Sequence, residues 1–118
     1  MTNMYFVKDS EIRMEYLETG DGNHVNLQDV FGKAEGAPFT FGMYEMTPSK
    51  GVEFEYDDDG AVCLCLEGSM TLMDEKDKIE HEFSKGDIVF IPQEKGKKII
   101  WNSREYAKMA YATYPHWR

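Results

Sequence analysis

The sequence predicts an all-β protein, a sandwich or barrel of short strands, and three observations carry that prediction. About nine short apolar runs follow one another, most of them alternating in polarity. Turn residues interrupt them at short intervals, and little of the chain has helical periodicity. Two joints are sharply punctuated. Ala61 to Glu67 ends at Gly68, and Ile88 to Ile91 is opened by Gly86-Asp87 and stopped by Pro92. Glycine tolerates the positive φ of a tight turn, and proline cannot donate to an interior ladder.

The elements follow in order. Phe6 to Leu17 has mixed periodicity; the stretch from Asp9-Ser10 to Glu15 reads as a short helical turn or a strand. Gly20-Asp21-Gly22-Asn23 is a turn cluster. His24 to Val30 alternates as a strand, with Val25 and Leu27 against Asn26 and Gln28. Gly32 to Pro38 is a loop. Phe39 to Thr47 is a strand ending in a turn at Pro48-Ser49-Lys50-Gly51. In Val52 to Asp57, Val52, Phe54 and Tyr56 take one face and Glu53, Glu55 and Asp57 the other. After a turn at Asp58-Asp59-Gly60 come strands Ala61 to Glu67, Met70 to Met73 and Ile79 to Phe83, the last two joined by a hairpin around Asp74 to Asp77. Ile88 to Ile91, Lys98 to Trp101 and Lys108 to Tyr114 complete the set.

A chain of 118 residues has the size of one domain, long enough to bury one core. Its formal charge of −9 disfavours nucleic acid and anionic lipid surfaces, which demand a basic face. No window approaches the roughly 20 apolar residues of a membrane span. The first residues carry Asp9 and Glu11 and no apolar signal core, so the expected location is the cytoplasm. Cys63 and Cys65 lie two apart on one strand, with both thiols on one face. Their spacing of roughly 6.5–7 Å is at the limit for a disulfide, so free thiols are expected. There is no Gly-rich phosphate loop, no dinucleotide fingerprint and no zinc-ribbon cysteine pair.

Glu67-Gly68, the Gly86…Pro92 spacing and the segment Tyr111-Ala112-Thr113-Tyr114-Pro115-His116-Trp117 together resemble the cupin superfamily, in particular its EutQ-like ethanolamine-utilisation group. The resemblance is good over 38–118 and weak before that, and it matches the cupin part of longer members. It implies a double-stranded β-helix, a jelly-roll-like barrel around a pocket, often paired as a homodimer. The single domain 1–118 would then comprise a barrel at 38–118 and N-terminal strands and loop at 1–37 that take part in pairing. Val62, Leu64 and Leu66 form an outward apolar face for a second copy or a second layer of the same subunit.

The resemblance also says where a metal would sit in relatives that bind one. Counting back from Gly68 puts Ala61 at the glutamate position, and no histidine stands on Glu53 to Asp57. The last histidine position falls on Lys97, or on Ile99 with a two-residue insertion. The family's His₃Glu metal site is therefore missing, and no metal or other cofactor is expected. Glu53 and Glu55 with Cys63 and Cys65 could in principle replace it, since zinc accepts oxygen and sulfur. The plainer readings are inert wall thiols and a solvated acidic mouth. Lys95, Lys97 and Lys98 are the expected counter-charges to the Glu53–Asp59 acids. His24, His81 and His116 occupy no ligand position; His81 is expected in solvent and His116 at a pocket or interface edge.

What such a chain would do is left among three readings. One is a metal-free barrel that binds a small molecule, cationic or polyhydroxy rather than anionic. Tyr44, Tyr56 and Trp101 would supply walls, Glu53, Glu55, Asp57 and Lys97 the polar anchors, and Ala61, Cys63 and Cys65 the lining. Proton transfer would be the simplest chemistry there, but no catalytic residue is identified. The second, implied by the EutQ-like group, is an acetate kinase, with Glu53, Glu55 and Asp57 holding Mg²⁺ and Lys97 facing phosphate. The third is a non-enzymatic assembly protein.

Overall fold

The computed structural model describes residues 4–20 and 22–118. Single 3₁₀ turns at Asp9–Glu11 and Lys33–Glu35 are its only helical elements among these residues; the rest of the regular structure is strand. The strands are β1 (Glu15–Leu17), β2 (Val25–Phe31), β3 (Thr40–Met46), β4 (Ser49–Tyr56) and β5 (Gly60–Glu67). They continue as β6 (Ser69–Asp74), β7 (Glu80–Ser84), β8 (Ile88–Ile91), β9 (Lys97–Ser103) and β10 (Ala107–Tyr114). The all-β expectation holds, with ten strands among the described residues against the nine or so expected. The ambiguous Asp9 to Leu17 stretch supplies both a 3₁₀ turn and the extra strand β1, which pairs with β2.

Two antiparallel sheets result. One runs β1-β2-β3-β10-β5-β8 and the other β4-β9-β6-β7. Alternation fixes which side chains enter the space between them. From the large sheet come Val25 and Leu27, Tyr44 and Met46, Ala61, Cys63 and Cys65, and Met109 and Tyr111. From the small sheet come Val52, Tyr56, Met70, Leu72, Phe83, Ile99 and Trp101. Both cysteines are free and buried.

Two glycines allow close approaches that this arrangement needs. Gly68, at φ 72°, joins β5 to β6; a Cβ there would stand 2.1 Å from the Tyr106 carbonyl oxygen. Gly42 on β3 lies beneath the Tyr111 ring, and a Cβ would come within 2.3 Å of both the Tyr111 hydroxyl and the Gln28 carbonyl oxygen.

The Pro48–Gly51 turn is shorter than expected. Ser49 already belongs to β4 and its hydroxyl accepts the His24 N–H at 2.9 Å. The slack is taken up by a register shift between Ser49 and Val52. Asn23 Oδ1 and Asn102 Oδ1 accept the Lys50 and Gly51 N–H groups freed there, at 3.0 and 2.7 Å. Of the Gly20–Asn23 turn, Asp21 lies outside the described residues, as do residues 1–3 of the 1–37 segment.

The outer face of β5 and β8 is apolar. Val62 pairs with Phe90 and Leu64 with Ile88, and these four side chains are 46, 68, 37 and 70% exposed. Leu66 is half-buried.

Candidate functional site

Between the sheets, β3, β4, β5 and β10 leave a cavity of about 50 Å³. A water-sized group needs roughly 10–15 Å³ on this measure, so there is room for about three to five of them. Its walls are largely aromatic: Tyr44, Phe54, Tyr56, Tyr111 and Trp117, with Leu27, Met109, Ala61 and Cys63 filling between them. Small residues at 61 and 63 create the space. Thr113, opposite Ala61 in the β10–β5 register, adds a hydroxyl. Glu55 and Asp59 are the acids on the wall.

The rings form a continuous series. Phe83 meets Trp101 edge-on at 6.1 Å, Trp101 meets Tyr44 at 6.4 Å, Tyr44 meets Phe54 at 6.0 Å, and Phe54 meets Trp117 at 6.2 Å. Offset and edge contacts at such distances each contribute about 0.5–1.5 kcal/mol beyond burial.

Asp29 on β2 anchors the cavity's outer wall. Its Oδ1 accepts the Tyr111 hydroxyl at 2.5 Å and the Trp117 indole N–H at 2.9 Å; its Oδ2 accepts Arg118 Nε at 2.7 Å. Burial alone would raise this carboxyl, but these hydrogen bonds hold it below the usual aspartate range. Arg118 also stands 4.6 Å over the Trp117 ring, and His116 Nε2 donates to the Ala37 carbonyl at 2.6 Å. The segment after β10 is thus pinned across one end of the barrel.

Burial sets the chemistry of the wall. It pushes the Cys63 thiol up to about 12 and the Tyr44, Tyr56 and Tyr111 phenols above their usual range, so all stay protonated near neutrality. The Tyr44 hydroxyl and Thr113 Oγ1 are buried without a hydrogen-bond partner.

The residues expected at the site separate into two groups. Tyr44, Glu55, Tyr56, Ala61 and Cys63 line the cavity together. Glu53, Asp57, Cys65, Lys97 and Trp101 do not. Glu53 is exposed on the outer side of β4. Asp57 turns into its loop and accepts the Gly96 N–H at 2.9 Å. Cys65 points inward further along β5, its sulfur 3.6 Å from the Glu67 and Gly68 carbonyl oxygens. Trp101 is fully buried in the core beyond Tyr44.

Lys97 corrects an expectation outright. Its ammonium is 2.9 Å from Asp74 and 2.8 Å from Glu94, not on the Glu53–Asp59 run. Those hydrogen bonds raise its affinity for the proton and lower both carboxyls. Side-chain direction explains the change: Lys97 is opposite Tyr56 in the β4–β9 register, while Lys98 is opposite Glu55. Among the described residues, no group of three or more His, Cys, Asp or Glu side chains gathers to hold a metal ion. Glu53 and Glu55 on one sheet and Cys63 and Cys65 on the other do not assemble the sulfur–carboxylate site considered above. His81 and His24 are exposed.

Several site residues escaped the sequence reading. Tyr111, Thr113 and Trp117 reach the cavity because β10 lies between β3 and β5, a long-range pairing with no local signature. Asp29 did leave a trace, since aspartate is disfavoured within strands. No helix among the described residues is long and apolar enough to cross a membrane.

Known proteins share this architecture. A cupin domain of Schizosaccharomyces pombe Cnp3 superposes with a TM-score of 0.69 at 12% identity, covering 90% of this chain and 70% of that one. The structure of the Clostridium difficile EutQ protein gives a TM-score of 0.78 at 24% identity, over 93% and 86% of the two chains. In sequence, the chain is 32% identical over 114 residues to a Clostridioides difficile (strain 630) protein named acetate kinase EutQ. That match covers 92% of this chain and only 65% of the longer relative. The family model described as ethanolamine utilisation protein EutQ matches residues 3–118. With the cupin fold and a match over nearly its whole length, the chain belongs to the EutQ family.

Proposed function

We propose that this protein is a ligand-binding EutQ-family cupin that holds a small molecule of a few heavy atoms inside its barrel. It would serve ethanolamine utilisation in the cytoplasm without a resident metal. The observation that carries this reading is the aromatic-walled cavity itself, two of whose lining residues, Tyr44 and Thr113, carry buried hydroxyls without partners. An unsatisfied buried hydroxyl costs roughly 1–3 kcal/mol, which a bound polar group relieves. A thermal-shift series with ethanolamine, acetate, small sugars and ATP–Mg²⁺ tests it. At a hundredfold excess over Kd a ligand adds about 2.7 kcal/mol, a rise of roughly 10 °C for this size. No rise with any compound at millimolar concentration would refute the reading. More than a tenth of an equivalent of metal after dialysis would refute its metal-free part.

The name of the C. difficile relative favours a second reading, acetate kinase activity. A nucleotide far exceeds a cavity of about 50 Å³. This reading therefore places phosphates at the cleft of about 440 Å³ bordered by Lys76, Lys95, Lys97 and Lys98 and by the acids Asp74, Glu75 and Glu94. Acetate-dependent ADP release in a coupled assay tests it, and its absence refutes it.

The chain also pairs with a second copy in this proposal. Val62, Leu64, Ile88 and Phe90 form one contiguous exposed apolar patch, a kind of surface monomers rarely leave uncovered. The same chemistry on an identical copy provides a self-complementary cover about a two-fold axis.

A further inference from the structure

We infer that the barrel cavity takes a small organic ammonium ion, a proposal that rests on reading the barrel as a ligand site. Its lining has the chemistry of a cation cage. Five rings contribute: Tyr44, Phe54, Tyr56, Tyr111 and Trp117. An aromatic face carries negative quadrupole charge and attracts a cation within about 6 Å of its centroid. A cavity this narrow brings any occupant close to several rings at once.

Charge points the same way. The ionisable groups on the wall, beyond phenols and a thiol that burial keeps neutral, are Glu55 and Asp59. Among the described residues, no lysine, arginine or histidine lines the cavity. The cation beside it, Arg118, lies over Trp117 and is tied to Asp29. Asp59 is half-buried and makes no ion pair with any of the described residues. Burial and the neighbouring Asp57 and Asp58 charges push its carboxyl above the usual range, against two backbone hydrogen bonds. An ammonium group at the mouth would supply Asp59 with a counter-charge, whereas a carboxylate or phosphate would meet two acids on the wall and no base there; Lys98, opposite Glu55 on β9, is not part of the lining.

Two unpartnered hydroxyls on lining residues bear on the rest of the ligand. Tyr44 is 1% exposed and Thr113 5%, and both line the same cavity. Each can donate to or accept from a hydroxyl or amine inside. With space for about three to five heavy atoms, the class is a short amine or amino alcohol, with its ammonium among the rings and toward the carboxylates.

The test is calorimetric titration at matched ionic strength, with tryptophan fluorescence as a second readout. The probes are 2-hydroxyethylammonium, 1-propanol of the same heavy-atom count, and the anion glycolate. The expected result is binding of the ammonium at least tenfold tighter than propanol, no binding of glycolate, and a change in fluorescence. A Glu55→Gln/Asp59→Asn double variant that keeps its unfolding temperature should lose at least tenfold in ammonium affinity. Glu53→Gln, on the exposed side of β4, should keep it. Equal binding of propanol, tighter binding of glycolate, or an equal loss in Glu53→Gln overturns the ammonium inference and leaves a barrel ligand site standing. Neither heat nor fluorescence change with any of the three, together with a flat thermal-shift series, overturns the barrel reading as well. Should the double variant fail to fold, the wild-type comparison of ammonium with propanol decides alone.

Discussion

Replacing Asp29 by asparagine keeps the shape of the anchor and removes its charge. The carboxylate accepts from Tyr111, Trp117 and Arg118 at 2.5, 2.9 and 2.7 Å. Making the first two bonds neutral forfeits about 1 kcal/mol each, since charge-assisted bonds are roughly twice as strong. Arg118 is half-exposed, and its contact contributes only about 0.5 kcal/mol. Neutralisation also removes the cost of holding a partly buried charge, which offsets part of this loss. The net loss is about 1–2 kcal/mol, a fall of about 4–8 °C in Tm at pH 7.

The pH dependence of that loss is diagnostic. The Asp29 carboxyl is held below its ordinary value in the folded state. Its contribution is therefore present above the unfolded pKa of about 3.9 and disappears as pH falls through the folded pKa. Circular-dichroism melts of both proteins from pH 7 to pH 2.5 should show a gap that is constant down to about pH 4 and closes below it. A gap unchanged across that range, or absent at pH 7, would refute the anchoring role.

Three further outcomes are expected. Gly42→Ala would place a methyl group 2.3 Å from both the Tyr111 hydroxyl and the Gln28 carbonyl oxygen; displacing ring and backbone should cost at least about 1–3 kcal/mol, seen as a lower Tm together with altered tryptophan fluorescence. Phe90→Glu should halve the mass measured by light scattering, because it puts a charge in the centre of the outer apolar patch; unchanged mass in both proteins sinks the pairing proposal. With its thiol pushed up to about 12 by burial, Cys63 exists as thiolate at only about one part in 10⁴ at pH 8. Ellman's reagent should therefore leave it unmodified in the native protein and titrate it in urea; rapid native reaction would contradict its burial.

Strand positions were legible in the sequence wherever alternation met a turn residue, as at Gly60–Glu67 and Ile88–Ile91. β1 is not legible, because three residues carry too little period to separate strand from helix. At the site, the inward set of β5 followed from counting by twos, which placed Ala61 and Cys63 on the wall. The failures were of two kinds. Glu53 and Glu55 alternate together, but Glu53 is outward and only Glu55 stands where the strand end meets the mouth. Lys97 neighbours the Glu53–Asp59 strand in the fold, yet its partners Asp74 and Glu94 lie at the end of β6 and in the loop before β9. Local periodicity cannot reveal which distant strand will supply a counter-charge.

The cavity and the outer patch share one strand. Along β5, Ala61 and Cys63 face the rings while Val62 and Leu64 face outward toward Phe90 and Ile88. Mutational tolerance there should follow parity. Substitutions at 61 and 63 should alter what the barrel accepts, and those at 62 and 64 what covers its exterior. Inserting or deleting one residue would exchange the two sets, moving bulky branched chains into the cavity and thiols onto the surface. Homologous chains that keep both properties should therefore vary in residue type along this strand but not in its length.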